Sequence, residues 1–381
     1  MNQEIVDKIV AAVLYEGYVL YPYRPSVKNH HRWTFGGIYP RAYSEKQHGS
    51  DPWTMQTQCL ICASAGATVQ IRSRFLHLMM RHVERACDPA PSNSACFEPV
   101  PSLQVQGQIF QTWQEAVERE VTLEEMNLGQ LSSAPQTRTF SFPASSETVG
   151  LRESDGRIVG RIIRRQRQID GAIEVSAEKK APDLYMLTVR LSNLTALGDG
   201  AAADGPSPGG NRSEARDDAL LHALVSTHAI LGVRNGAFVS LTDPPPEIRE
   251  HASACVNVGC WPVLVGEAGE TDTMLASPII LYDYPQVAPE SPGDLFDGLE
   301  IDEILTLRIL TLTDEEKRQA SAVDSRVRDL LSRTSALASE QLFSLHGMVR
   351  GVGATGQPAV TGRGEYHAAL AERGEPTGAL T

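Results

Sequence analysis

The sequence predicts an α+β protein built on antiparallel β-sheet, with a sandwich- or barrel-like middle block and flanking helices. Three stretches carry that reading. Residues 3–16 place Ile5, Val6, Ile9, Val10, Val13 and Leu14 on one helical face. Between 137 and 193, runs such as TRTFSF, IEVSAE and YMLTVRLSNL alternate with period two, and a loop containing proline and aspartate joins the last two. From 217 to 231, apolar residues return at spacings of three and four, the mark of a helix.

The chain has 381 residues, 41% of them apolar and 21% charged, enough for two or three compact units with a sizeable core. Its formal net charge of −13 argues against a chain-wide binder of nucleic acid or anionic membrane, which would be basic. The first eighteen residues carry no basic leader region, and no apolar run reaches membrane-spanning length, so a soluble cytoplasmic protein is expected. In that compartment the six cysteines are expected as free thiols or metal ligands rather than disulfides.

In chain order, the first helix is capped by Asn2 and ended by Gly17. YVLYPY and RWTFGGIYPRAY then read as strands broken by proline and glycine. Thr57–Ala63 and Thr68–Phe75 read as two strands around the Ala-Gly pair at 65–66. Trp113–Met126 reads as a helix with Trp113, Val117 and Val121 on one face. The β block follows, then a Gly- and Pro-rich insert at 198–214 expected to be flexible. Asp217–Leu231 reads as a helix, GAFVSLTD, GCWPVLVGE and SPIILYDYP as strands, and EIREHASACV as a short helix. Residues 300–311 fit a helix or a strand by periodicity, with an acidic first turn that favours the helix; the segment after a Thr313/Glu316 capping box and 339–349 read as helices. The expected division is 1–130, 131–197, the insert 198–214, 215–350, and a disordered tail at 351–381.

The stretch 15–43 concentrates aromatic and basic residues in a chain that is only 6% aromatic. Tyr21, Tyr23, Arg24, Lys28, Arg32, Trp33 and Arg41 suit a partner-binding surface, because aromatics with a polar tip and arginines dominate interface energetics. Candidate metal ligands are Cys59 and Cys62, His30 and His31, and Asp294 and Asp297 within the acidic series 283–303. Each set is incomplete. The C-x-x-C lies in a strand-like run whose alternation turns its two thiols to opposite faces. Adjacent histidines diverge, and the acidic series lacks ordered ligand spacing. The arginine series 157–167 could meet a nucleic acid, but no RNA-binding signature accompanies it. No nucleophile elbow, P-loop or zinc-protease motif is present, and the sequence assigns no cofactor.

YVLYPYRPSVKNHHRWTFGGIYPRAY together with SPGDLFDGLEIDEILTLRILTLTDEEKRQ resembles a bacterial family encoded in gene clusters for uptake-type nickel–iron hydrogenases. The resemblance runs to about residue 350, without the insert. It implies a cytoplasmic role in making or serving such a hydrogenase, with a hydrogenase subunit or maturation factor as partner, and it assigns no catalytic residue. The expected function is therefore a non-catalytic accessory or assembly protein that binds a protein. A metal- or thiol-dependent enzyme is the first alternative, and a nucleic-acid binder through residues 157–167 the second.

Overall fold

A computed structural model describes residues 3–15, 36–87, 96–197, 212–286 and 312–321, with 328, 329, 331, 332 and 336. The described residues form one compact unit. The elements run α1 (Gln3–Leu14), α2 (Arg41–Lys46), β1 (Thr54–Ala86), β2 (Phe97–Val100), β3 (Ser102–Val105), β4 (Gln108–Gln111), β5 (Trp113–Asn127) and α3 (Leu128–Ser133). Then come β6 (Gln136–Phe142), β7 (Ser145–Arg152), β8 (Ile158–Gln166), β9 (Ile169–Ala181), β10 (Leu184–Asn193), α4 (Arg212–Leu220) and β11 (Val225–Phe238). The last are α5 (Arg249–Ser253), β12 (Trp261–Leu264), β13 (Thr273–Ser277) and α6 (Asp314–Ser321).

One antiparallel sheet of 11 strands dominates, and it curls into a half-barrel. Strand β1, 33 residues long, is its spine. Ile61 and Cys62 pair with β10 and β11 at once, so those strands occupy opposite edges of β1. Along one edge run β10, β5 and β2, and along the other β11 and β8. Beyond β10 lie β9 and β6, and beyond β11 lie β13 and β12. The sheet takes strands from the N-terminal, middle and C-terminal stretches alike.

Alternation along β1 sorts its two faces. Cys59, Ile61, Val69, Ile71 and Phe75 enter the main core with Ile173 and Val175 of β9 and Leu187, Val189 and Leu191 of β10. Leu76 and Leu78 turn the other way, to Leu14 and Tyr15 at the end of α1 and Leu220 of α4. The helix α1 also lays Val6, Ile9 and Val10 on Ile230, Val263 and Leu275. Phe75 meets Phe140 and Phe142 of β6, ring centroids 6.0 and 5.8 Å away. Because β6 is three strands removed from β1, that contact shows how far the sheet rolls back over its own spine.

Helix α1, the β6 run, the arginine-rich strand β8, the β9–β10 hairpin, α5 and β12 form where the sequence placed them. Helix α6 likewise starts just after Thr313, whose carbonyl accepts from Lys317. The balance differs from the expectation: the described residues are mostly antiparallel strand with few helices, so helices flank the sheet only sparsely.

Four local expectations are corrected. The Ala-Gly pair at 65–66 makes no turn; β1 runs through it with a register irregularity between Ala63 and Thr68. Residues 113–126 are strand, not helix, because a spacing of four fits both periods and both edges of β1 need partners. The helix from 217 stops at Leu220, and residues 225–233 are buried on both faces as a central strand, which erases alternation. The strand expected at 277–285 is displaced to Thr273–Ser277.

Candidate functional site

Of the expected partner-binding residues, Tyr21, Tyr23, Arg24, Lys28, Arg32 and Trp33 lie outside the described residues, as do His30, His31, Asp294, Asp297, the insert between 198 and 211 and the segment 351–381. Arg41 is described. Its Nε donates to Glu45 Oε1 at 2.7 Å and its guanidinium lies 4.8 Å over the Trp53 ring. Asp283, the first of the acidic series, is structural: Oδ1 accepts from the Leu264 amide at 2.8 Å and Oδ2 from Ser240.

The C-x-x-C pair separates as alternation requires. Cys59 is fully buried in the main core and Cys62 is exposed. The neighbours of Cys59 are instead Cys255 and Cys260, about two hundred residues away in sequence, a grouping no local spacing reveals. Burial pushes the Cys59 thiol far up and Cys260 up to about 12, so both stay protonated at neutral pH. A nucleophilic thiolate is what such burial opposes. No metal-binding group of three His, Cys, Asp or Glu side chains forms among the described residues.

Cys87 and Cys96 are joined as a disulfide at the end of the β1–β2 ladder, with Cα atoms 5.3 Å apart. This corrects the expectation of free thiols throughout. Two antiparallel strands bring the pair opposite each other, and the Cys87 amide donates to the Cys96 carbonyl at 2.9 Å.

The arginine series is largely occupied. Arg161 pairs with Glu84 at 2.5 Å and covers the Phe97 ring at 4.3 Å; Arg164 pairs with Glu115 at 2.8 Å; Arg157 lies 3.9 Å from Asp155. Neutralised arginines make a poor phosphate track.

Polar side chains converge instead on the inner face of β1, at the rolled edge under β6. His77 is wholly buried, and its Nε2 lies 2.9 Å from the Arg167 carbonyl. A carbonyl only accepts, so Nε2 carries the proton and Nδ1 is a bare acceptor. Burial, helped by the charge of Arg119, lowers its pKa to about 4 and keeps the ring neutral. Arg119 of β5 lies opposite Phe75, and Gln166 of β8 lies opposite Met79. Arg119 Nη2 donates to Gln166 Oε1 at 2.8 Å, so this bond crosses β1 at the level of His77. Phe142 closes the group, 4.8 Å under the Arg119 guanidinium and 6.4 Å from the His77 ring. One step further along β1, Glu115 holds Arg81 at 2.7 Å as well as Arg164.

No protein-family model matches the chain, and a comparison with curated proteins finds no relative.

A second feature lies at the surface. Val256, Val258 and Trp261 are exposed within six residues of chain, Trp261 to 46%. Ile280 and Tyr282, at 61% and 72%, follow β13, which pairs with β12 from Trp261 onward. Sequence periodicity missed this set, because the run 277–285 reads as a strand, whereas the chain beyond Ser277 is coil.

Proposed function

We propose that this chain is a non-catalytic accessory protein that binds a partner protein, with a subunit or maturation factor of a nickel–iron hydrogenase as the partner class. The observation that carries the binding reading is the exposed apolar set Val256, Val258, Trp261, Ile280 and Tyr282 beside β12 and β13. Large apolar side chains exposed on neighbouring chain segments are costly to leave in water and mark contact with another macromolecule. Trp and Tyr are the residues that anchor such contacts. The hydrogenase link rests on the resemblance of residues 18–43 and 291–319 alone.

The test is co-purification from the native host. Trp261→Ala with Tyr282→Ala is expected to keep the wild-type melting temperature and to weaken partner capture by on the order of 2 kcal/mol or more. Arg24→Ala with Arg32→Ala probes the aromatic–basic stretch in the same assay. A captured hydrogenase subunit supports the partner class. Capture of every partner by both double variants would overturn the interface reading.

A further inference from the structure

We propose that the His77–Arg119–Gln166 group is a binding site for a small oxyanion that carries its own O–H, the class of hydrogen carbonate and dihydrogen phosphate. Three buried polar atoms here have no hydrogen-bond partner: His77 Nδ1, Arg119 Nε and Gln166 Nε2. Burying one such atom unpaired is costly, and these three sit on side chains gathered about Phe142, two of them joined to each other. Their chemistry restricts what that partner is. Arg119 Nε and Gln166 Nε2 are donors and need acceptors. His77 Nδ1 is an acceptor and needs a donor, because Nε2 holds the ring proton. In the free protein the ring is neutral near pH 7, since burial lowers its pKa to about 4.

Charge selects among ligands with both functions. No carboxylate pairs with Arg119 among the described residues, and Glu115, the nearby carboxylate of β5, already bridges Arg81 and Arg164. An anion completes the guanidinium. A plain carboxylate such as formate serves the two donors but offers nothing to Nδ1. A hydrogen-bearing oxyanion gives one oxygen to Arg119, one to Gln166 and its O–H to His77. Arginine suits the role because its planar donors match the spacing of oxyanion oxygens. The inference is independent of the partner-binding reading: β12, β13 and Trp261 contribute none of these groups.

The experiment follows the histidine ¹⁵N resonances of the full chain at pH 7.5, with His77 assigned by a His77→Gln variant, during titration with sodium hydrogen carbonate, sodium phosphate, sodium formate and sodium chloride. Saturable movement of the His77 Nδ1 resonance with hydrogen carbonate or phosphate is expected, with the tighter of the two naming the ligand. Formate is expected to bind at least about tenfold more weakly, and chloride to leave the resonance in place. Calorimetry on Arg119→Met is expected to show that heat of binding lost while melting stays cooperative. If that variant does not fold, the discrimination between hydrogen carbonate and formate in the wild-type chain still decides. An Nδ1 resonance that no anion moves, or that formate moves equally well, would overturn the proposal.

Discussion

Glu115 holds a different guanidinium with each carboxylate oxygen, Arg81 at 2.7 Å and Arg164 at 2.8 Å, across three neighbouring strands. Glu115→Ala leaves two largely buried cations facing each other, and the expected loss is on the order of 3 kcal/mol by urea denaturation. His77 and His228 make the fold sensitive to acid. Burial lowers both pKa values to about 4 from an ordinary 6.5. The unfolded chain takes up those protons first, so stability is full above about pH 6.5 and falls as pH drops toward 4, by on the order of 3 kcal/mol per histidine. Melting temperatures between pH 7.5 and 4.5 check this, and a His228→Asn variant is expected to show a shallower decline. Thiol labelling tests the cysteine arrangement: Cys62 should react first, Cys59 and Cys260 only on unfolding, and Cys87 and Cys96 only after reduction. Residue chemistry was legible where it was local, as with the opposed faces of Cys59 and Cys62. The His77 group was not, since His77, Arg119 and Gln166 are more than forty residues apart and meet only through the register of three strands.

Strand β6 reaches its place by laying Phe140 directly over Gly171 of β9, where a Cβ would come within 2.3 Å of the ring. Gly171→Ala is expected to lift β6, destabilising the fold by about 1–3 kcal/mol and loosening Phe142 from Arg119. A drop in the chemical-melt midpoint checks the first effect, and faster hydrogen exchange in 136–142 checks the second. Hairpin β9–β10 was readable because its strands alternate cleanly between core and solvent over most of their length. Strand β5 was not, since Trp113, Val117 and Val121 recur every fourth position and satisfy both a helix and one face of a strand. Strand β11 hid for the opposite reason: with both faces buried, VSTHAILGV has no polar phase to betray period two.

At the scale of the molecule, deleting residues 351–381 is expected to leave the melting temperature nearly unchanged, because that segment offers little apolar surface to bury. Calorimetry of the two lengths decides it, and a loss of several degrees would contradict it. The organisation around β1 has its own cost in time. This strand is complete once residue 86 has been synthesised, yet its neighbours β10 and β11 end at residues 193 and 238. At about 5–20 residues per second, the ribosome needs roughly 8–30 s to supply the last of them. Until then a strand with an extended contour of roughly 110 Å lacks at least one of those neighbours, a template for any other chain emerging nearby. Yield in the cell should therefore depend on holdase chaperones and on translation speed between codons 86 and 238 more than on the stability of the finished fold.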